Sequence, residues 1–228
     1  MTRLLSVSSD TKSVKSAAHG WLTGVMFLEP DKKLCPNMSP GCGESCLKSS
    51  GRMAFDSALV ARVQRTLLWK HEPDMFLNTL IMEVQQLTEK AEKQDMKPCV
   101  RLNGTSDVAW EKFFPMDVFP DVQFFDYTKN IHRFRHQKKW WDNWPENYKL
   151  IYSRSEHNTL VCDDLLTEGE NICVVFDEVP KKWRGHRVID GDRHDLWFTE
   201  LKPFEIWGVK AKGKAVDDET GFVVRTKK

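Results

Sequence analysis

Several of the usual signposts are missing from this chain of 228 residues. It holds no run of about 18 apolar residues, so no segment reads as a membrane-spanning helix and no membrane partner is expected. The opening MTRLLSVSSDTKSVKS lacks the apolar centre and small-residue cleavage site of a secretion signal, and the expected location is cytoplasmic. Lys and Arg number 34 against 33 Asp and Glu, a net charge of +1, which excludes a global field pulling on nucleic acid or anionic lipid. Only local patches could supply one. There is no Gly-rich phosphate loop, no H-E-x-x-H and no G-x-S-x-G, so the commonest nucleotide, zinc-protease and serine-hydrolase signatures are out. Internal repeats and low-complexity tracts are absent too.

What remains is a globular composition, 40% hydrophobic and 29% charged, in a chain long enough to bury one sizeable core. Nine Trp and thirteen Phe imply a large aromatic core or stacking surfaces. Residues 1–18, rich in Ser, Thr and Lys, read as loosely ordered, and 19–228 as a single α/β domain. WLTGVMFLEP (21–30) is a β-prone run ended by proline. Helical patterns cover 55–70 and 73–94, the second with Phe76, Leu77, Leu80, Ile81, Val84, Leu87 and Ala91 on one face behind a proline at its first position. Short apolar runs then recur: CVRL, VQFF, YKLIYS, NICVVF, HRVI and FEIWGV. Such near-continuous strands between helical segments predict a mainly parallel sheet covered on both faces. Asn130 and Asn158 are positioned as helix N-caps, and GFVVRTKK reads as a last short strand with a basic tail.

Each apolar run ends in polar and glycine residues: NGTSD, DYTKN, SRSEHN, DE, DGDRHD and KAKGK. The carboxyl edge of a parallel sheet is where α/β proteins bind ligands. That places Asp107, Asp126, Lys129, Glu156, Asp177 and Asp190, with Asp192, Lys210 and Lys212, toward one rim.

The densest motif is CPNMSPGCGESCLKSSGR (35–52), with Cys35, Cys42 and Cys46 spaced C-x6-C-x3-C. Four readings stand side by side: a disulfide, a structural zinc completed by a distant ligand, unconnected core thiols, or an iron–sulfur cluster on three thiolates. Cys99, Cys162 and Cys173 stand apart in predicted strands and helices, where free cysteine is most often a small buried hydrophobe.

A strand, a three-cysteine loop, a helix and repeated strand–helix units with polar strand ends resemble the radical S-adenosylmethionine (SAM) superfamily. The usual loop of that superfamily is C-x3-C-x2-C, and both gaps differ here. The chain is closer to radical-SAM-like proteins of bacteriophages, whose loop has a Ser-Pro-Gly-Cys core matched by Ser39, Pro40, Gly41 and Cys42. It also resembles an uncharacterised bacteriophage family through VRLNGTSDVAWE, FFDYTKN, SRSEHN, VIDGD and KAKGKAVDDETGFV, nearly end to end. The resemblance implies a partial (β/α) barrel, with Cys35, Cys42 and Cys46 holding a 4Fe-4S cluster. SAM is the implied small-molecule cofactor. Asn103, Gly104, Thr105 and Ser106 would lie against its methionine amino group, although a Gly-Gly-Glu motif is absent. Ser153, Arg154, Ser155 and Glu156 would face its ribose or carboxylate. Asp126, Tyr127, Lys129, Asp190 and Asp192 would face the substrate.

The stretch TKNIHRFRHQKKWWDNW (128–144) sets cations beside tryptophans, which suits phosphate contacts and base stacking, and a nucleic acid or nucleotide is the partner it points to. The competing view is an amphipathic helix with a solvated basic face. At the level of function, the competitor to a radical-SAM-like enzyme is a non-enzymatic binding protein whose cysteine loop carries structural zinc or no metal.

Overall fold

A computed structural model describes residues 2–7, 11–137 and 144–226 of the protein. The chain runs through β1 (Leu5–Val7), α1 (Thr11–Ala17) and β2 (Trp21–Met26). The cysteine loop follows and contains the short α2 (Pro40–Glu44), ahead of α3 (Asp56–His71) and α4 (Pro73–Lys93). Then come β3 (Lys97–Arg101), β4 (Gln123–Thr128), α5 (Ile131–His136), β5 (Tyr148–Ser153), α6 (Thr159–Thr167) and β6 (Ile172–Phe176). The last elements are β7 (Lys182–Trp183), β8 (His186–Asp190), α7 (Trp197–Glu200) and β9 (Ile206–Lys210).

The strands form one nine-stranded sheet in the order β1-β2-β3-β4-β5-β6-β9-β8-β7. Neighbours from β2 to β8 pair in parallel, while β1 and β7 add antiparallel edges. The fold is therefore α/β with a mostly parallel, open sheet. Among the described residues no helix is long and apolar enough to cross a membrane.

Side chains alternate across this sheet with period two. Even-numbered strand residues such as Val100, Phe124, Leu150, Val174 and Ile206 enter the larger core, against the buried stripe of α4. Odd-numbered ones, Cys99, Phe125, Ile151, Cys173 and Trp207, form a second apolar layer with Leu196 and Trp197 of the α7 segment. One step further along the strands on that same face come Arg101, Tyr127 and Ser153. Apolar residues on both faces explain the near-continuous hydrophobic runs.

The N-terminal segment, whose composition implies loose order, supplies the edge strand β1 and the helix α1. The C-terminal GFVV, expected as a strand, makes a single parallel bridge, Phe176 to Val224. Asn130 caps α5 as expected, its side chain accepting from the N–H groups of His132 and Arg133. Asn158 occupies the cap position of α6 but turns back, accepting from Ser155 N–H at 2.6 Å.

α3 is unusual in what it buries. Arg62, Arg65 and Thr66 face inward, while Leu59, Val60, Val63 and Leu67 are exposed. Arg65 donates to the carbonyls of Arg3 and Phe27, and Arg62 to Glu29 and to the carbonyl of Met53. These bonds satisfy backbone that leaves β2 and tie the far end of the cysteine loop to the sheet.

Candidate functional site

The Ser-Pro-Gly-Cys core has a physical reason at each position. Ser39 is the N-cap of α2, and its Oγ accepts from Cys42 N–H at 3.2 Å. Pro40 fills the first helical position, where a missing N–H costs nothing. Gly41 lets the loop pass against Thr220, Phe222 and Glu156, since any Cβ there would meet all three. Glu156 accepts from Ser39 Oγ at 2.8 Å and from Gly41 N–H at 2.7 Å. A carboxylate from the end of β5 thus pins the turn that carries Cys42.

The pinned loop closes over the carboxyl ends of the strands and leaves a cavity of about 350 Å³, in the range that holds small ligands. Cys35, Cys42 and Cys46 line it from the loop, together with Thr105, Lys129 and Ser153 from the strand ends, and Cys35 Sγ lies 3.8 Å from Thr105 O. All six cysteines are free, so the disulfide reading is not realised. Burial pushes the Cys35 thiol up to about 12, with Asp107, Cys42 and Cys46 adding to the rise. Burial also raises Cys46, and Cys42 adds to it, so the three sulfurs sense one another. Lys129 Nζ donates to Ser153 Oγ at 3.1 Å, and its ammonium is stabilised against burial by Cys42 and Asp107.

The NGTSD turn is organised around Asn103. Its Oδ1 accepts from Ser106 Oγ, Val108 N–H and Trp110 Nε1, while its Nδ2 donates to Val108 O and Asp126. Gly104 is needed because a Cβ would lie 2.5 Å from Phe27 and 2.6 Å from Met26 O. Thr105 Oγ1 donates to Leu28 O at 2.6 Å. Asp107 accepts from Lys129 N–H and from Arg133, which joins this turn to β4 and α5.

At the base of the cavity a charged group sits just above the apolar layer. Asp195 accepts from Tyr127 OH at 2.6 Å, Arg101 Nη1 at 2.8 Å and Lys12 Nζ at 3.3 Å. Burial alone would raise its carboxyl, but Lys12, Arg101 and the Tyr127 bond override it and hold it well below the usual range. Folded Asp195 stays ionised where the unfolded chain, near pH 4, takes up a proton. Its stabilisation is therefore present above about pH 4 and is lost as pH falls below that. Asp195→Asn should cost about 2 kcal/mol at pH 7. It should also flatten the loss between pH 5 and 3, as read from urea midpoints.

The expected site residues divide cleanly. Asn103, Gly104, Thr105, Ser106 and Ser153, then Lys129 and Asp192, line the cavity with the three cysteines. Asp126 does not: it is fully buried on the opposite side of β4, accepting from Asn103 and Tyr148, and burial pushes its carboxyl up to about 7. Arg154 points away and donates to the carbonyls of Gly221 and Phe222. Ser155 is buried beside Asn158, Glu156 holds α2, and Asp190 accepts from Asp192 N–H on the outer rim. Alternation separates Asp126 from Tyr127 and Lys129, and Arg154 from Ser153. The same rule would have found Arg101, in phase with Asn103, and it sets the expected Tyr127 beside Lys129 in the cavity lining. Lys12 comes from an element outside the strand ends and had no local signal, whereas Asp195 closes the DGDRHD strand-end motif without being singled out in it.

In the basic stretch, Arg133 and Arg135 are committed to Asp107, Glu111 and Glu168, and Lys129 belongs to the cavity. Lys138, Lys139, Trp140 and Trp141 lie outside the described residues.

No curated protein and no solved structure matches the chain significantly. A family model does match, and it carries kinship rather than the radical SAM likeness. The match to Gene product 88 spans residues 3–226, and the chain belongs to that family, in keeping with the bacteriophage kinship expected from its sequence blocks.

Proposed function

We propose that the protein is a radical-SAM-like enzyme built on a partial (β/α) barrel, with an iron–sulfur cluster and SAM in the cavity at the carboxyl edge. The observation that carries this reading is the placement of Cys35, Cys42 and Cys46 along one wall of the cavity whose other walls are the strand-end motifs. The chain-order run β2-β3-β4-β5-β6-β9 of parallel strands is compatible with such a barrel.

Among the described residues no three His, Cys, Asp or Glu side chains converge as ligands of one ion. A cubane would take each thiolate on a separate iron, so its three sulfurs must surround a common centre at wider spacing than the ligands of one zinc ion. Cys35, Cys42 and Cys46 would hold it, giving up protons that burial otherwise keeps on the thiols. When bound, the cluster supplies the electron that opens the SAM sulfonium. The chain's own part is positioning and exclusion of water. Ser153 and Lys129 offer polar contacts above a floor of Val175 and Val209, and Phe222 closes one side.

A second reading has one observation in its favour. Ser39, Glu156 and Gly41 hold the turn by protein bonds alone, as a binding protein with a metal-free cysteine loop would require. Iron and sulfide analysis of protein purified without oxygen separates the two. The cluster reading expects about four irons per chain, and none in a variant with all three loop cysteines changed to Ala. Absence of iron from the unaltered protein would overturn it.

A further inference from the structure

The cavity holds a second chemical feature besides the loop thiols, the group around Arg101 and Asp195. There Arg101 is held but only half used. Its Nη1 donates to Asp195, and its guanidinium lies 4.4 Å over the Tyr127 ring. Its Nε is buried and without a partner, and among the described residues Asp195 is its one hydrogen-bond acceptor. An arginine's Nε and Nη2 form one edge with two nearly parallel N–H groups, the edge that grips an oxyanion in bidentate fashion. With Nη1 tied and the plane stacked, the guanidinium is fixed before any ligand arrives, and its buried Nε is left as an unmet donor.

The charges around it say which oxyanion. Asp195 is shared among Arg101, Lys12 and Tyr127. Asp192 is occupied by Lys212 Nζ at 2.6 Å and by Lys210 N–H at 2.8 Å. The cavity is lined by five cations (Lys12, Arg101, Lys129, Lys210, Lys212) and three carboxylates (Asp107, Asp192, Asp195). Asp107 is moreover bonded to Arg133, outside the lining. An excess of two positive charges in a confined space matches a dianion better than a single carboxylate.

We infer that the part of the cavity lined by Arg101 is a phosphate subsite, and that the substrate is a small phosphorylated molecule held by the Arg101 guanidinium with Lys12 and Lys212 around it. The inference names the substrate class of the proposed site and rests on reading this cavity as that site, but it needs no metal. The volume of about 350 Å³ admits a small phosphorylated group and not a folded polymer.

The test is calorimetric titration of inorganic phosphate into the full chain, purified without metal, with acetate as the competing monoanion. One saturable site is expected. Arg101→Lys keeps the charge but loses the fork, and should weaken binding about tenfold. Lys212→Gln, at a half-exposed position that the fold tolerates, should weaken it about threefold. The variant lacking all three loop cysteines should bind phosphate as the parent does. Arg101-dependent binding here, beside an absence of iron from the protein purified without oxygen, would leave the subsite standing while the cluster reading falls. No saturable binding, or equal affinity in parent, Arg101→Lys and Lys212→Gln, would overturn the inference. Acetate binding as tightly as phosphate would overturn the dianion assignment.

Discussion

Replacing Arg133 by Met is expected to lower the free energy of unfolding by about 4 kcal/mol, read from urea midpoints at neutral pH. The side chain is 7% exposed and spends every nitrogen. Nε and Nη2 grip the two oxygens of Glu111 at 2.9 and 2.8 Å, Nη1 reaches Asp107 at 2.7 Å, and Nη2 also meets Tyr148 OH at 2.9 Å. Methionine would fill most of the space and leave two nearly buried carboxylates facing each other without a cation. The cost is that of stranded charge and not of a lost contact, which makes a specific second prediction. Adding Glu111→Met to Arg133→Met should restore about half of the loss, because a pair removed together leaves less unpaired charge than one partner removed alone. If the double variant were no more stable than the single one, the penalty would lie in packing. Arg133→Lys should not rescue, since an ammonium cannot make the two-pronged bond to Glu111.

The same residue shows where sequence reading runs out. In TKNIHRFRHQKKWW, Arg133 is one cation among five and looks ready for phosphate, yet its partners Asp107 and Glu111 lie on a turn more than 20 residues earlier. Local pattern carries no trace of that closure. α4 was legible because its partner is the whole core: Phe76, Leu80, Val84, Leu87 and Ala91 need only a period of 3.6 to declare a face. α3 satisfied the same length and composition test while turning its arginines inward, since Arg62 and Arg65 answer to backbone carbonyls rather than to water. At the site, strand-end polarity located the rim, and the period of two within each strand decided which residue reached the cavity. Tyr127 and Lys129 are in phase with Arg101 and Asn103, and Asp126 is out of phase with them. Lys12 escaped notice altogether, because a Ser- and Lys-rich segment gives no sign that its helix will be pinned beside β2 by Asp195.

The change that should separate the fold from the site most sharply is Gly41→Ala. The added methyl would clash with Thr220 Oγ1 and would lie 2.7 Å from Phe222 Cβ and 2.9 Å from Glu156 Oε1. Two of these neighbours are fixed. Thr220 is bonded to Asp218 at 2.6 Å, and Phe222 is held through its carbonyl by Arg154 at 2.8 Å. The loop must therefore give way, at a cost of about 2 kcal/mol, and it gives way at the turn that sets Cys42 in the cavity. The turn lies outside the sheet and α4, so cooperative unfolding should persist with a modest shift in midpoint. Iron content, where the cluster reading holds, should drop to near zero despite three intact cysteines. Phosphate affinity, set by Arg101 and Lys212, should be unchanged. Thr220→Ala should not rescue Gly41→Ala, because the Phe222 and Glu156 contacts remain. Full iron occupancy in Gly41→Ala would mean that the Ser-Pro-Gly-Cys turn serves packing alone and that Cys42 is not held by it for a cluster.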